Sequence, residues 1–307
     1  MARKRKLQIS ASPVAEGVRF RVGSAAAFAV RRESKDIALR IRRERRPFRD
    51  MLERLPFVRG MHRLVGSVAG LLDGISESSE LEPQRIAKGA RFEQAFARMF
   101  RIHPESLVAF TSAVLIPIIL IGLIYALPRA AQVWLLPNFE LTRAGFNAIV
   151  CSIRVLGALL GIFLCTRLRV VKRLCMYQGA INKVLNAWEA DRKAEPTHAA
   201  AMEASRHYHK SDAMFVTLVA LLSIVAFALI RTFTLPVQVL VRALTVLVIA
   251  GLVNEPIQAL ERMKPGRPLA KLLVPYLWLG RMFVMEPHSQ MVEVAVYAFN
   301  AARENDE

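Results

Sequence analysis

Along the chain, long apolar stretches alternate with polar, basic ones, and a finer pattern runs inside the polar parts. A helix needs roughly 20 apolar residues to cross a hydrocarbon layer. Residues 106–127 (SLVAFTSAVLIPIILIGLIYAL) meet that without a charge, and residues 144–166 meet it with one, Arg154. Residues 213–230 form a third, slightly short stretch, and residues 235–252 a fourth that carries Arg242. Pro236 suits the first turn of that last helix, where no backbone donor is lost. The pattern therefore predicts four transmembrane helices.

On the finer scale, SAAAFAVRRESKDIALRIRRERR (24–46) alternates apolar and polar runs as a hairpin does, although a basic helix fits the same run. LPFVRGMHRLVGSVAGLLDGI (55–75) is apolar but too charged to span, which predicts an interfacial helix. Ser79 and Glu82 have the spacing of a capping box ahead of PQRIAKGARFEQAFARMF, where Phe92, Phe96 and Met99 share one helical face. Residues 269–285 (LAKLLVPYLWLGRMFVM) predict a second amphipathic helix, kinked at Pro275 and anchored by Tyr276 and Trp278. There is no internal repeat.

Charge sharpens this picture. The 307 residues are 54% hydrophobic yet carry a formal net charge of +18. Those properties coexist when apolar spans alternate with basic segments held on one side of a membrane. Lys and Arg number 23 in residues 1–105, nine in 167–212 and six in 253–307, against three in the two short connectors. Both termini and the 167–212 loop are thus expected in the cytosol of a bacterial cytoplasmic membrane. The start, MARKRKLQISASPVAEG, has positive charge with no apolar run behind it, so no cleaved signal is expected. Three cysteines, 151, 165 and 175, in or beside one apolar run argue against a disulfide framework.

Chemistry is sparse. There is no P-loop, no dinucleotide fingerprint, no Gly-x-Ser-x-Gly and no paired-carboxylate pattern. The densest polar segment is CMYQGAINKVLNAWEADRK (175–193), which follows the second apolar stretch. Here the chain resembles the YqhQ-like family of bacterial membrane proteins, described as metal-dependent enzymes without an established reaction. SPVAEGVRFR is similar to the family's Gln-Ala-Val-Ile-Glu-Gly-Val-Met-Met-Arg signature, retaining Glu16, Gly17 and Val18. LPFVRG (55–60) resembles its Pro-Leu-Leu-Arg-Gly element. RPLAKLLVPYLWLGRMFVMEPHSQMVEVA is similar through Pro268, Leu269, Pro275, Leu277, Trp278, Leu279, Arg281, Glu286, Pro287, Gln290 and Val292 to Ala295.

The resemblance implies a metal site that the residues here do not reproduce. The family's Tyr-His-Gly-Ala-Glu-His-Lys places two histidines at i, i+4, on one helix face and within reach of one metal ion. Gln178 and Asn182 stand at those positions, with Ile181 in place of the glutamate. The family's later His-Pro-Arg-Cys-Gly falls on Tyr208 for its histidine and Ser211 for its cysteine. Gly179, Ala180, Lys183, Asn186, Ala187 and Glu189 keep the frame. Amides and hydroxyls bind zinc-like metals weakly, so a degenerate site is expected, its polar side chains hydrogen-bonded to each other, with no cofactor. The alternative is a divalent metal such as zinc in a site shifted onto His198, His207 and His209.

Inside the apolar stretches, Arg154 and Arg242 are charges that a membrane keeps only at a cost of at least ~3 kcal/mol. Both Arg154 and Glu255 match family positions, and the three together form a candidate intramembrane polar site. RKRK (3–6) and RRERRPFR (42–49) favour anionic lipid at about 1 kcal/mol per basic residue. Nucleic acid or ribosome contact is the less favoured partner, since no RNA-recognition motif accompanies them. A homo- or hetero-oligomer is compatible with all of this.

The expectation is an all-α membrane protein. A basic region (1–105) precedes a four-span region (106–252, with the loop 167–212) and an amphipathic C-terminal region (253–307). The expected role is a scaffold or partner-binding subunit, with a metal-dependent membrane enzyme at the cytosolic face as the alternative.

Overall fold

The computed structural model describes residues 9–14, 16–32, 36–43, 55–81, 116, 118–135, 139, 142–192, 194–208, 210–230, 235–261, 278, 280–281 and 284–306. In chain order the strands are β1 (Ile9–Val14), β2 (Gly17–Val22), β3 (Ala25–Arg31) and β4 (Ile37–Arg43). The helices are α1 (Val58–Leu81), α2 (Leu127–Ala130), α3 (Arg143–Cys165), α4 (Arg169–Ala190), α5 (His198–Glu203), α6 (Asp212–Leu229), α7 (Leu235–Glu261) and α8 (Ser289–Glu304). A π-helical turn flanks α2 on each side, at Gly122–Ala126 and Ala131–Leu135. The chain divides into two compact units, one of residues 1–85, 173–216 and 250–307 and the other of residues 86–172 and 217–249.

The first unit corrects the all-α expectation. Its four strands form an antiparallel meander in the order β1-β2-β3-β4. The 24–46 alternation is the β3–β4 hairpin, with Phe28 opposite Arg40 and Ala26 opposite Arg42. Two-residue loops join β1 to β2 and β2 to β3, since Val14 pairs with Gly17 and Val22 with Ala25. Each loop holds a left-handed residue, Glu16 (φ 58°) and Gly23 (φ 55°). Gly17 is required at its place, because a Cβ there would run into the carbonyl of Ala29 on β3.

In β2 the period-two pattern puts Val18, Phe20 and Val22 on one face and Arg19 and Arg21 on the other. α8 packs on β2, β3 and β4, and its Phe299 meets the Phe20 ring edge-on at 5.4 Å. α4 joins the same core through Tyr177, Ala180, Ile181, Val184 and Trp188. On the other face, α1 packs against β1 and β3, and the Arg19 guanidinium lies over the Phe28 ring at 5.5 Å. Alanines at 25, 26, 27 and 29 leave β3 thin enough for cover on both faces. The expected interfacial helix over 55–75 is thus a layer of this unit. Of the Ser79–Glu82 box, Ser79 lies inside α1, while Glu82 and the helix expected after it lie outside the described residues.

In the second unit, α3 packs on the interrupted helix of residues 118–135. Gly157 and Gly161 allow this: a Cβ on Gly157 would strike the Leu123 carbonyl, and one on Gly161 would lie 3.2 Å from Leu120. A small residue every fourth position is how apolar helices approach closely. Thr142 caps α3 by accepting the Gly145 N–H at 3.2 Å. Hydroxyls within the apolar helices bond back to their own carbonyls, Ser152 to Ala148 at 2.9 Å and Thr245 to Val241 at 2.7 Å.

Two helices are long and apolar enough to cross a membrane, Gly145–Cys165 and Pro236–Ala259. Only 28% and 17% of those stretches is buried by the rest of the protein, unlike the core helix of a soluble domain. Four such helices are not present among the described residues. α6 is apolar but short of the length; half of the first expected span and most of 269–285 lie outside the described residues.

Candidate functional site

The 175–193 segment lies in α4, and its polar face holds down the chain from 202 to 211. Lys183 Nζ donates to the Met202 carbonyl at 2.8 Å, and Asn182 Nδ2 to the Arg206 carbonyl at 2.9 Å. Asn186 Nδ2 donates to the carbonyls of Ser205 at 2.6 Å and His207 at 3.0 Å. Glu189 accepts from Lys210 at 2.6 Å and from Tyr208 Oη at 3.3 Å. The spacing 182, 183, 186, 189 is one helix face, so a single rigid element holds six residues of the 202–211 segment.

Within that face, Gln178, Asn182 and Ser211 come together. Gln178 Nε2 donates to Asn182 Oδ1 at 3.0 Å and to Ser211 Oγ at 3.3 Å. The orientation is fixed by chemistry. Asn182 spends its N–H on Arg206, so its oxygen faces Gln178 and must receive an N–H. Gln178 is 4% exposed, and among the described residues no donor reaches its Oε1. Tyr208 is not brought into this group; its ring is buried in the core and its hydroxyl turns to Glu189.

The divalent metal implied by the family resemblance does not suit this donor set. Two amides and a hydroxyl, already hydrogen-bonded to one another, offer no imidazole, thiolate or carboxylate. Nor do the described histidines assemble elsewhere. His198 Nε2 lies 3.2 Å from the Ser289 carbonyl and 3.1 Å from its hydroxyl. His207 has its pKa lowered, first by burial and then by Arg206 and Arg281. His209 lies outside the described residues.

The C-terminal segment closes over α4. Met285 N–H donates to the Cys175 carbonyl at 3.2 Å, and a Cβ at Gly179 would collide with the Met285 carbonyl. Glu286 then pairs with Lys183 at 3.0 Å and Arg206 at 3.2 Å. The hydrogen bond from Lys183 is the main cause that holds the Glu286 carboxyl below the usual carboxylate range. Burial pushes the Cys175 thiol up to about 11.

Other motif residues also act as ties that the sequence did not disclose. Glu16 pairs with Arg173 at the start of α4. Arg59 makes a two-point ion pair with Glu255, whose Oε1 also accepts the Phe57 N–H at 3.0 Å. Gly60 sits where a Cβ would meet the Ala250 carbonyl of α7. Glu255, expected beside the intramembrane arginines, is engaged here by Arg59. The Arg242 guanidinium lies over the Phe227 ring at 5.5 Å and Arg154 sits near the middle of α3; among the described residues, neither arginine's buried Nε has an acceptor.

These features define a mostly helical protein that joins a sheet-and-helix unit to helices of membrane-crossing length. The family described as Protein of unknown function (DUF1385) matches residues 55–305, and the chain belongs to it. It is similar to "Uncharacterized protein YqhQ" of Bacillus subtilis (strain 168), 25% identical over 296 residues that span 94% of this chain and 89% of that protein. No solved structure matches.

Proposed function

We propose that this is a multi-pass protein of the bacterial cytoplasmic membrane whose sheet-and-helix unit serves as a non-catalytic scaffold or partner-binding subunit on the cytosolic side. The observation that carries this reading is the Gln178–Asn182–Ser211 cluster, in which side chains at three positions of the family's metal site bond to each other. The frame around them works as a clamp on residues 202–211, a role that needs no metal. Basic residues in 1–105 give the unit an affinity for anionic lipid.

Metal analysis of the purified protein tests the reading: well under one equivalent of zinc, iron or manganese is expected. Gln178→His with Asn182→His and Ser211→Cys should then create binding, because the three positions already meet. Stoichiometric, tight metal in the unaltered protein would instead favour a metal-dependent enzyme. Topology is tested by single cysteines replacing Ser79, Thr197 or Asn305, expected to react only with reagents that enter the cytosol. One replacing Gln132 should react with an impermeant reagent, and ready external labelling at Thr197 would reverse the orientation.

A further inference from the structure

Arg154 is a charge in the middle of an apolar helix, and no described residue answers it. It falls near the midpoint of Gly145–Cys165, roughly 14 Å from the nearer end at ~1.5 Å per residue. Its Nε is buried, and among the described residues it makes no hydrogen bond or ion pair. Its helical neighbours Val150, Ala158 and Gly161 are buried, so Arg154 lies along the seam where Gly157 and Gly161 admit Leu123 and Leu120.

The other wall of that seam is irregular. α2, which packs on α3, contains the buried Pro128 between two π-helical turns. Proline has no N–H to give the preceding turn, and π turns recur at binding sites. Asn147 and Cys151 continue from Arg154 at one-turn spacing toward the N-terminal end of α3, the direction in which helical side chains lean. An exposed amide, Asn147, and a thiol, Cys151, therefore stand between the end of the helix and the guanidinium.

A second copy of the chain is a poor source of an anion: the four apolar stretches contain no Asp or Glu, and Glu255, near the end of Pro236–Ala259, is engaged by Arg59. Guanidinium presents a planar fork of donors that matches phosphate oxygens. We propose that Arg154 anchors a phosphate-binding site in the seam between α3 and the interrupted helix. The phosphate arrives on the headgroup of an anionic phospholipid or as the free anion. Arg242 Nε is likewise buried without an acceptor among the described residues, but the Phe227 ring faces its guanidinium, which makes it the internal contrast.

This site rests on α3 being a membrane span, which alkaline extraction of membranes tests separately: release of the chain into the soluble fraction refutes the span, whatever Arg154 binds. For the site itself, the parent, Arg154→Leu, Arg154→Gln and Arg242→Leu proteins are purified in one mild detergent and their bound phospholipid is measured by native mass spectrometry. The parent and Arg242→Leu should retain an acidic phospholipid, and Arg154→Leu should lose about tenfold in occupancy. After delipidation, saturable binding of inorganic phosphate by the parent but not by Arg154→Leu assigns the same site to the soluble anion. Equal phospholipid and equal phosphate binding in parent and Arg154→Leu overturns the proposal. Should Arg154→Leu not fold, Arg154→Gln is compared in its place. The parent's thermal midpoint is also measured with phosphatidylglycerol, phosphatidylcholine or inorganic phosphate added. A rise with phosphatidylglycerol or phosphate and none with phosphatidylcholine supports the site, and no rise with either anion overturns it.

Discussion

Lys183 Nζ lies 3.0 Å from Glu286 Oε1 and 2.8 Å from the Met202 carbonyl, so one nearly buried ammonium joins α4 to two segments far from it in sequence. Lys183→Met keeps the aliphatic stem and removes the donors. The loss should lower stability by about 1–2 kcal/mol in chemical denaturation and speed limited proteolysis within 202–211. An unchanged midpoint with unchanged proteolysis would mean the clamp contributes nothing.

Glu286 gives the pair a pH signature. Its folded pKa lies below the ordinary value of 4.5, so the folded state binds the proton less readily than the unfolded one. The stabilisation is therefore fully present above pH 4.5 and is lost as pH falls through the lower folded value. Glu286→Gln should be less stable than the parent at neutral pH, with the gap closing in acid. Because the carboxylate is 57% exposed, salt should shrink the gap as well. A gap independent of pH would locate the effect in packing instead of charge.

Gly179 is where α4 and the 284–288 segment touch backbone to backbone. Gly179→Ala should cost about 1–3 kcal/mol despite raising helix propensity, since its Cβ meets a carbonyl that the Met285–Cys175 hydrogen bond holds in place. A more stable alanine variant, by thermal or chemical denaturation, would show that the segment can move aside.

Cys175 should resist alkylation in the native protein at pH 8, because burial both covers the thiol and raises its pKa to about 11. Peptide mapping after iodoacetamide treatment, native against denatured, checks this. Fast native labelling would show that α4 opens readily from the core.

What the sequence determined by itself was whatever a local period carries. Apolar runs long enough to matter located α3, α6 and α7, since hydrophobic length is a property of consecutive residues. The i, i+4 spacing of Gln178 and Asn182 put both on one face of a helix, where they meet. The β3–β4 hairpin was legible in the alternation of 24–46 only beside a basic helix, since alanine-rich β3 is buried on both faces, and β1 and β2 were hidden because every residue of β2 is buried. One local signal for them was present, the two residues Gly23–Ser24 between two strand-length runs. Tertiary structure alone decided the rest. Ser211 reaches Gln178 while Tyr208 turns to Glu189, because the clamp from α4 sets the path of 202–211. Glu255 belongs to Arg59, and Glu286 to Lys183, by pairings across some 100 to 200 residues of chain that no spacing could announce. Helical and strand periods are written in neighbouring residues, whereas the partner of a buried charge is chosen by which chain segments the core brings together.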